Sequence, residues 1–418
     1  MRIRKNESGQ VLVLAAIGLT ALLGFLGLAT DLGMMFRAKR NLQTVADAAA
    51  TAGALDYLYN QSVSSAQAAG QAAATQNGVT NGTGGAVVTL NSPPLSGYHQ
   101  SAGYVEAIVN QPNPTFFMKL FNINSITVTA RAVAGTPGPS LDCVYVLQPT
   151  GSGTMTLQGS FAVSAPNCGI IVDSTDPDAL QFTGAGGTLT AGSVSVAGGA
   201  GGHTGDSTPP PVTGAAPVSN PLSWITGPSV PGDCTITSTG TSVTGTVSNG
   251  GVLCYTNSVT LSNVTLNQGT YVFESGVTLG GRVLTGAGGA TLDIVSGPLN
   301  INTGTTLGLV APACSNASTA DYCSGGGLNG LVLMEPPTNT NTLQFQKGNS
   351  CGSITGIIYM PSAQFYMQDS GGDQCGGLNL TTDMVVGQLF DKTSSLTIAS
   401  YSAQNPTTSP LREVSLVE

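Results

Sequence analysis

The hydropathy pattern is dominated by one uncharged apolar stretch near the N-terminus. No residue from Ser8 to Thr30 is charged, and about 20 apolar residues suffice to cross a bilayer core of about 30 Å. A cleaved signal peptide would share the basic start, but its apolar region is usually only about 7–15 residues long. The pattern therefore favours a short N-terminal tail over residues 1–10 and a retained transmembrane helix over residues 11–30.

The helical pattern continues past the apolar stretch. Residues 31–60 are rich in helix formers and contain no proline, which predicts an extended helix. Apolar residues recur there at three- and four-residue steps and form a narrow stripe: Met35, Ala38, Leu42, Val45, Ala49 and Ala52. Small residues form a row within the predicted span: Ala16, Thr20 and Gly24. Both features suit either packing within the chain or self-association of two chains through this helix.

Two acids lie on this helix. Asp31 stands at the outer edge of the predicted span and has no basic residue three or four positions away. It either marks the membrane interface or pairs with a partner protein. Asp47 lies among alanines on the soluble part, and we expect it to be solvated or capped by neighbouring polar groups.

Residues 61–135 combine one helical segment with alternating polar and apolar runs. The segment "SVSSAQAAGQAAATQNG" predicts a helix that ends at Gly78. The runs "GAVVTL", "GYVEAIVNQ" and "SITVTARAVAG" predict strands, with a short helix at "NPTFFMKLFN" before the last of them. The segment is therefore expected to form a small α+β module.

Short apolar runs separated by Gly, Asn and Ser turns follow the linker "TPGPS" at residues 136–140. Runs such as "GIIVDS" are apolar in the middle and polar at the ends, as the stacked rungs of a solenoid require. The turns are irregular, unlike the repeated Asn-Gly turns of tight hairpins. The pattern predicts a mainly β body, favouring a right-handed parallel β-helix over a sandwich, in two parts at residues 141–197 and 234–400, with a tail at 401–418.

A Gly- and Pro-rich segment over residues 198–233 interrupts this pattern. It contains the only tryptophan of the chain, Trp224, whose large aromatic side chain would gain from burial. The segment is expected to be either a flexible linker or a loop that lies on the solenoid, with Trp224 as its anchor.

Charge is scarce and unevenly placed. Only 8% of the 418 residues are charged, against about 25% in ordinary soluble domains. Half of the basic residues lie in the first forty positions: Arg2, Arg4, Lys5, Arg37, Lys39 and Arg40. The remaining basic residues are far apart, so the body has no basic patch and nucleic-acid binding is not expected.

The eight cysteines all follow the predicted membrane segment. They fall into four pairs of successive cysteines: Cys143 and Cys168, Cys234 and Cys254, Cys314 and Cys323, and Cys351 and Cys375. A metal site would need CxxC spacing or adjacent histidines, but the only histidines are His99 and His203, so no metal or cofactor is expected. The even count predicts four local disulfides, with buried free thiols as the alternative.

Basic residues flank the apolar stretch on both sides, so the positive-inside rule does not settle its orientation. Disulfides would place the body outside the cytoplasm. We therefore expect a single-pass protein of the cell membrane with a cytoplasmic N-terminus and a periplasmic or extracellular body.

The N-terminal sequence resembles one family. The string "ESGQVLVLAAIGLTALLGFLGLATDLGMMFRAKRNLQTVADAAATAGA" is similar to the N-terminal domain of the TadG-like and TadE-like proteins of Flp (tight adherence) pilus assembly. The positions that carry the resemblance are Gly9, Asp31, Gly33, Leu42, Gln43, Asp47, Ala48 and Ala49. The resemblance implies a bilayer-anchored protein with a pilin-like module at 61–135, whose partners are pilus-assembly or cell-envelope proteins.

Some relatives of this family are cut like prepilins, after a glycine and with a glutamate shortly inside the mature chain. Here Glu7 precedes Gly9, and no acid follows until Asp31, so an uncut N-terminus is expected.

Candidate catalytic chemistry is limited to two groups of turn aspartates. Paired carboxylates about 5–10 Å apart would suit a glycosidase, and grouped ones would suit calcium. The groups are Asp173, Asp176 and Asp178, and Asp369 and Asp373. Both lie in turn-forming contexts, so neither is expected to be catalytic. The sequence favours a structural assembly protein, with a carbohydrate- or cell-binding surface adhesin as the alternative and a polysaccharide-active enzyme as the least favoured class.

Overall fold

A computed structural model describes most of the chain. The described residues are 8–60, 62–101, 103–135, 142–225, 234–248, 251–314, 323, 326–345, 351–368, 378–405, 409–411 and 414–418. The predicted linker at 136–140 and residues 1–7 of the N-terminal tail lie outside them. The chain divides into two units, Met1–Pro137 with Val414–Glu418, and Gly138–Glu413.

Two helices open the first unit. Helix α1 (Ser8–Asn60) is a single helix of 53 residues, so the predicted span and the predicted extended helix are continuous. Helix α2 (Val63–Gln76) is preceded by Ser62, whose hydroxyl accepts the N–H of Ser65 at 3.3 Å and caps the helix. Gly78 follows with φ of 90°, a conformation that suits glycine, and α2 ends close to the predicted residue.

The sheet of the first unit is antiparallel. Its strands are β1 (Val87–Asn91), β2 (Tyr104–Pro114), β3 (Ser125–Gly135) and the last strand of the chain, β28 (Ser415–Leu416), in the order β1-β2-β3-β28. Short 3-10 turns lie at Thr83–Gly85 and at Met118–Phe121. The chain therefore returns at its C-terminus to complete the sheet of its N-terminal unit, which the sequence pattern does not predict for the tail.

The soluble part of α1 packs on this sheet. Leu42, Val45 and Ala49 from the predicted apolar stripe are buried there, together with the alternating inward residues of β1 to β3. Gly70 of α2 lets the two helices approach closely, because a Cβ at this position would lie 2.8 Å from the carbonyl oxygen of Ala49. This part of the stripe is therefore used for packing within the chain.

The second unit is built from short strands. Those described are β4 (Asp142–Val146), β5 (Met155–Gln158), β6 (Ala162–Val172), β7 (Leu180–Thr183), β8 (Thr188–Val196), β9 (Ala200–Gly202), β10 (Ser207–Thr208), β11 (Val212–Thr213), β12 (Ile236–Ser238), β13 (Ser242–Val247), β14 (Val252–Tyr255), β15 (Val259–Leu266), β16 (Gly269–Phe273), β17 (Val277–Thr285), β18 (Ala290–Ile294), β19 (Leu299–Ile301), β20 (Thr306–Val310), β21 (Leu331–Met334), β22 (Leu343–Phe345), β23 (Cys351–Thr355), β24 (Ile357–Gln368), β25 (Leu378–Thr381), β26 (Met384–Lys392) and β27 (Ser395–Ala399). A 3-10 turn lies at Thr204–Asp206 and a short helix, α3, at Tyr401–Gln404.

These strands pair in parallel with the strand of the next rung. Val259, Val277 and Leu299 lie in register on three successive rungs, and equivalent apolar ladders line the interior of the coil. Each rung thus buries its inner face against the neighbouring rungs, as a solenoid does. The predicted mainly β class with a parallel β-helix-like body is confirmed; the handedness stays a prediction.

The order of the rungs in space differs from their order in sequence. Strand β4 stacks on β26, and β6 stacks on β27, so the first strands of the unit follow the last ones. The two predicted parts at 141–197 and 234–400 therefore form one coil in a permuted order. The Gly- and Pro-rich segment contributes β9 to β11 before its remainder connects the two parts.

A second core lies on the outer face of four strands. Tyr145, Met334, Tyr359 and Val385 alternate with interior residues on β4, β21, β24 and β26, and they are also buried. Leu222 and Ile225, Tyr401 of α3 and Leu411 cover them. Burial on both faces explains why these strands read as unbroken apolar runs.

Within the Gly- and Pro-rich segment, residues 218–225 form a loop that is fixed to the coil. The N–H of Val218 donates to Asp173 at 3.0 Å, and the Asn220 amide donates to the Tyr359 hydroxyl at 3.1 Å. Trp224 is half-buried against the outer core, whereas its neighbours Leu222 and Ile225 are fully buried. The loop is therefore anchored on the solenoid, mainly by the two aliphatic residues beside the tryptophan.

Candidate functional site at the end of the apolar helix

The first half of α1 is apolar and exposed. Large side chains from Leu12 to Leu28 are 47–72% exposed, and they include consecutive residues that point to all sides of the helix. Soluble monomers rarely expose an apolar patch of this extent. Within the described part of the chain, this is the one helix long and apolar enough to cross a membrane, so the N-terminal helix is compatible with a membrane anchor.

Asp31, at the end of this apolar half, is buried and binds a backbone segment. Its exposed fraction is 2%, and its carboxylate accepts the N–H groups of Phe116, Phe117 and Met118 at 2.9, 3.0 and 2.8 Å. These donors lie at the start of the 3-10 turn Met118–Phe121, whose first N–H groups have no partner within the turn. The carboxylate thus caps this turn from α1 and ties it to the end of the apolar half of that helix, a role that neither sequence interpretation of Asp31 included.

The capped segment belongs to the connection between β2 and β3, residues 115–124, which we call the apolar loop. Its large side chains are exposed: Phe116 by 66%, Phe117 by 43%, Leu120 by 83% and Phe121 by 79%. A groove of about 330 Å³ separates the loop from Thr20, Leu23, Gly24 and Leu28 of α1. The loop therefore lies beside the last turns of the predicted span.

Contact between the loop and α1 depends on a small residue. A Cβ placed on Gly27 would come within 2.7 Å of the Phe117 ring, so only glycine fits beside this ring without a shift. Thr20 and Gly24, which belong to the predicted row of small residues, line the groove next to this contact.

Polar residues on the soluble half of α1, two of them family-motif positions, cover the outer edge of β3. The Gln43 amide donates to the Arg131 carbonyl at 2.9 Å and to the Asp47 carboxylate at 2.8 Å, while Lys39 donates to the Thr129 carbonyl. These contacts satisfy carbonyl groups that an unpaired edge strand would otherwise leave free. Asp47 is thus capped by a neighbouring polar group, one of the two outcomes expected for it.

The other motif positions have simpler surroundings. Leu42 and Ala49 are buried against the sheet, Ala48 is half-buried, and Gly33 is exposed with open space around it. Gly9 lies in the first turns of α1.

A cluster of ion pairs around Arg131 joins the C-terminus to this sheet. Arg131 donates to Glu106, which is fully buried, and to Glu418, both at 2.7 Å. The Asn91 amide also donates to Glu106 at 2.8 Å. Burial alone would raise the pKa of Glu106, but the hydrogen bonds from Asn91 and Arg131 outweigh it and lower this pKa below its usual value.

Replacing Arg131 with alanine is expected to lower the stability of the first unit by about 2 kcal/mol, because Glu106 would stay buried without its cation. Since the folded-state pKa of Glu106 is lowered, its stabilising contribution is present above the unfolded pKa and is lost as the pH falls through the folded pKa. Amide exchange of β2 and β3 in the full chain measures the loss. Arg131→Lys keeps a cation and should lose less; equal protection in parent and alanine variant would refute the role.

Two of the described disulfides join neighbouring rungs of the second unit, and a third closes a loop between β20 and β21. The bonded pairs are Cys143–Cys168, Cys234–Cys254 and Cys314–Cys323, with Cα atoms 5.4, 5.7 and 5.6 Å apart. Cys351 is also disulfide-bonded, whereas its predicted partner Cys375 lies outside the described residues. Glu274 lies beside Cys234 and Cys254, but their sulfur atoms are already bonded to each other and are not available as metal ligands.

Removal of the Cys143–Cys168 disulfide by replacing both residues with alanine should lower the free energy of unfolding by about 3 kcal/mol. The bond closes a loop with a sequence separation of 25, and its loss frees the unfolded chain. Denaturant unfolding of the full chain, followed by a signal from the second unit, measures this change in the free energy of unfolding. The same change at Cys314–Cys323, with a separation of 9, is the matched control and should cost less. A larger cost at the shorter loop would contradict the loop-entropy explanation.

The candidate catalytic aspartates have structural contacts. Asp173 is buried and accepts the N–H of Val218, and burial raises the pKa of its carboxyl. Asp176 accepts the N–H of Asp178 at 2.9 Å, the contact of a local turn. Asp369 and Asp373 lie outside the described residues.

The two histidines lie in different units of the chain. His203 is exposed at a 3-10 turn, and His99 stacks on Tyr104 in the first unit, with ring centroids 4.6 Å apart.

A pair of buried acids in the second unit was missed by the sequence interpretation. Asp293 on β18 and Glu335 after β21 are each 1% exposed, and their carboxyl oxygens have no hydrogen-bond partner among the residues that the structure describes. The space beside Glu335, lined by Ile294, Met334 and Tyr359, does not admit a water molecule. Burial raises the pKa of Asp293 to about 8; burial and the charge of Asp293 raise that of Glu335 to about 9. Acids within or beside the apolar runs "ATLDI" and "LVLME" were the available signal.

Comparison with known families supports the resemblance of the N-terminal sequence. Residues 9–56 match the family model described as "Putative Flp pilus-assembly TadE/G-like", which covers the apolar half of α1, Asp31 and the motif positions on its soluble half. No curated protein and no solved structure matches the chain.

Proposed function

We propose, with the match of residues 9–56 to the Flp pilus-assembly family as the premise, that the protein is a membrane-anchored structural component of a pilus or cell-envelope assembly. The observation that carries this proposal is the coincidence of the family match with the exposed apolar half of α1, which ends at Asp31. In this role α1 holds the protein in the cytoplasmic membrane, and the β-helix makes the contacts with other assembly proteins.

The body is proposed to lie outside the cytoplasm. The disulfides of the second unit support this orientation, because such bonds persist in oxidising compartments and are rare in the cytosol. The N-terminal tail would then be cytoplasmic, and the first unit would lie next to the membrane surface.

We propose a role without catalysis. Asp173 and Asp176, the candidate catalytic acids that the structure describes, take part in backbone contacts that fix turns and the loop 218–225. The buried pair Asp293 and Glu335 is enclosed where substrate and water have no access. The structural contacts of the first two acids and the enclosure of the buried pair favour a role in protein association over polysaccharide cleavage.

Chemical cross-linking in the native host, followed by purification of the full chain, tests the proposed function. Pilus-assembly proteins should be recovered with it. In a matched control, residues 12–28 are replaced with the transmembrane span of an unrelated single-pass protein of the same orientation. The body is thereby kept outside the cytoplasm. Recovery that persists in the control assigns the contacts to the rest of the protein. Absence of every pilus-assembly protein from both preparations would contradict the proposal.

A further inference from the structure

We propose that the apolar loop is a second membrane-inserted element, which lies among the acyl chains of the leaflet on the Asp31 side of the bilayer. The inference rests on the proposed anchoring by α1 and adds a lipid-contact surface to it. Its occupant is phospholipid, and the surface consists of Phe116, Phe117, Leu120 and Phe121 with the facing part of α1.

The position of the loop along α1 places it at the depth of the hydrocarbon. The groove beside the loop is lined by α1 residues from Thr20 to Leu28, which precede Asp31 by eleven to three positions. At 1.5 Å per residue this corresponds to about 16 to 5 Å along the helix. A loop at this level can avoid the bilayer only if α1 itself does not span it.

Apart from Lys119, Asn122 and Asn124, the exposed side chains of the loop are apolar, where a water-exposed loop would be mostly polar. Leu120 and Phe121 are 83% and 79% exposed, and Phe116 beside Asp31 is 66% exposed. Their surface is continuous with that of the exposed apolar half of α1. Burial of this area in hydrocarbon would be favourable because it removes apolar surface from water.

Most backbone N–H groups of the loop have an acceptor within the protein, which a backbone within lipid requires. Asp31 accepts three consecutive N–H groups, those of residues 116–118. The N–H groups of Thr115, Leu120, Asn122 and Ile123 donate to carbonyl groups of Asn124, Phe117, Lys119 and Met118, respectively. The Thr115 hydroxyl donates to the Ile123 carbonyl. The cost of removing these donors from water has therefore already been met inside the protein.

Lys119, the cation of the loop, is compatible with this position. Its side chain is exposed and long enough for its ammonium group to reach the head-group region while its stem stays in the apolar layer. The basic residues Arg37, Lys39 and Arg40 lie beyond Asp31 on α1, on the side where the phosphates of the same leaflet would be.

A helix from a second copy is the competing occupant of the groove. Leu12, Val13 and Leu14 are all more than half exposed, so the apolar half of α1 needs apolar surroundings on every side. Acyl chains supply such surroundings around both α1 and the loop. A single partner helix would cover one side and leave the rest exposed.

Depth-dependent quenching in vesicles tests the inference with the full chain. Single cysteines are introduced at Phe121, at Leu22 on α1 and at Tyr98, a 97% exposed residue elsewhere in the same unit, and are labelled with a polarity-sensitive dye. No cysteine among the described residues is free to react. The vesicles contain phosphatidylcholine and phosphatidylglycerol, with or without spin-labelled acyl chains.

We expect the dye at position 121 to lose fluorescence to the spin-labelled chains about as strongly as the dye at position 22, with a similar blue shift. The dye at position 98 should show neither effect. If position 121 behaves like position 98 while position 22 is quenched, the inference is overturned and anchoring stands. If position 22 is not quenched either, anchoring fails as well. A blue shift at 121 without lipid quenching would identify a protein occupant and also overturn the inference.

Discussion

Replacing Asp31 with alanine is expected to release the apolar loop from α1. Three backbone N–H groups lose their carboxylate acceptor, and hydrogen bonds to charged groups contribute about 1.5–3 kcal/mol each. We therefore expect a loss of local stability of roughly 5 kcal/mol, reduced where lipid or water offers substitutes. Amide exchange of residues 116–118 in the full chain, reconstituted in vesicles, measures it directly.

Two variants distinguish the loss of the capping hydrogen bonds from the loss of a negative charge on α1. Asp31→Asn keeps one acceptor oxygen and should retain part of the protection. Asp47→Asn removes another acid of α1, which contacts Gln43 rather than the loop, and should leave residues 116–118 unchanged. Unaltered exchange at these three amides in Asp31→Ala would show that the carboxylate does not hold the loop.

Neutralising the buried acids of the second unit should stabilise it at neutral and alkaline pH. The pKa of Asp293 is about 8 in the folded chain and 3.8 ordinarily, so between these values the folded state keeps a proton that the unfolded state has lost. Stability therefore falls as the pH rises through this window. Asp293→Asn removes this dependence, and at pH 8 the gain is of order 5 kcal/mol at most, since one pKa unit corresponds to about 1.4 kcal/mol.

Glu335→Gln is expected to act in the same direction, because its pKa is raised to about 9. The two gains should not add, since the charge of Asp293 contributes to the raised pKa of Glu335. Denaturant unfolding at pH 4, 6 and 8 measures both variants. The control Asp178→Asn removes an exposed acid and should change little. A parent protein whose second unit gains stability from pH 4 to pH 8, in step with Asp293→Asn, would refute the explanation.

Local patterns were sufficient for much of the fold. The uncharged run from Ser8 to Thr30 and the proline-free segment after it predicted the two halves of α1, which form one helix. Runs such as "GIIVDS" predicted strands of a solenoid because their inner residues must be apolar on every rung. The spacing of apolar residues within a helix or strand involves only residues that are close in sequence, so the sequence alone reveals it.

The contacts that build the candidate site join distant residues and escaped prediction. Asp31 binds N–H groups about 85 positions away, and Arg131 reaches Glu418 across 287 positions. The permuted stacking of β4 on β26 is equally hidden, because apolar ladders of similar composition can stack in more than one order. These long-range contacts and the stacking order depend on which distant segments meet in three dimensions, and no local sequence pattern encodes this.

The central claim is that α1 holds a disulfide-bonded body on the outer side of the cytoplasmic membrane. A membrane-impermeant maleimide tests it in host cells whose cytoplasmic membrane is intact and whose outer envelope has been opened. A cysteine introduced at the exposed Ser164 should be labelled, one at Asn6 should not, and the parent chain should react only after reduction. Labelling at Asn6 but not at Ser164, with native cysteines reactive without reductant once the cells are lysed, would contradict the account.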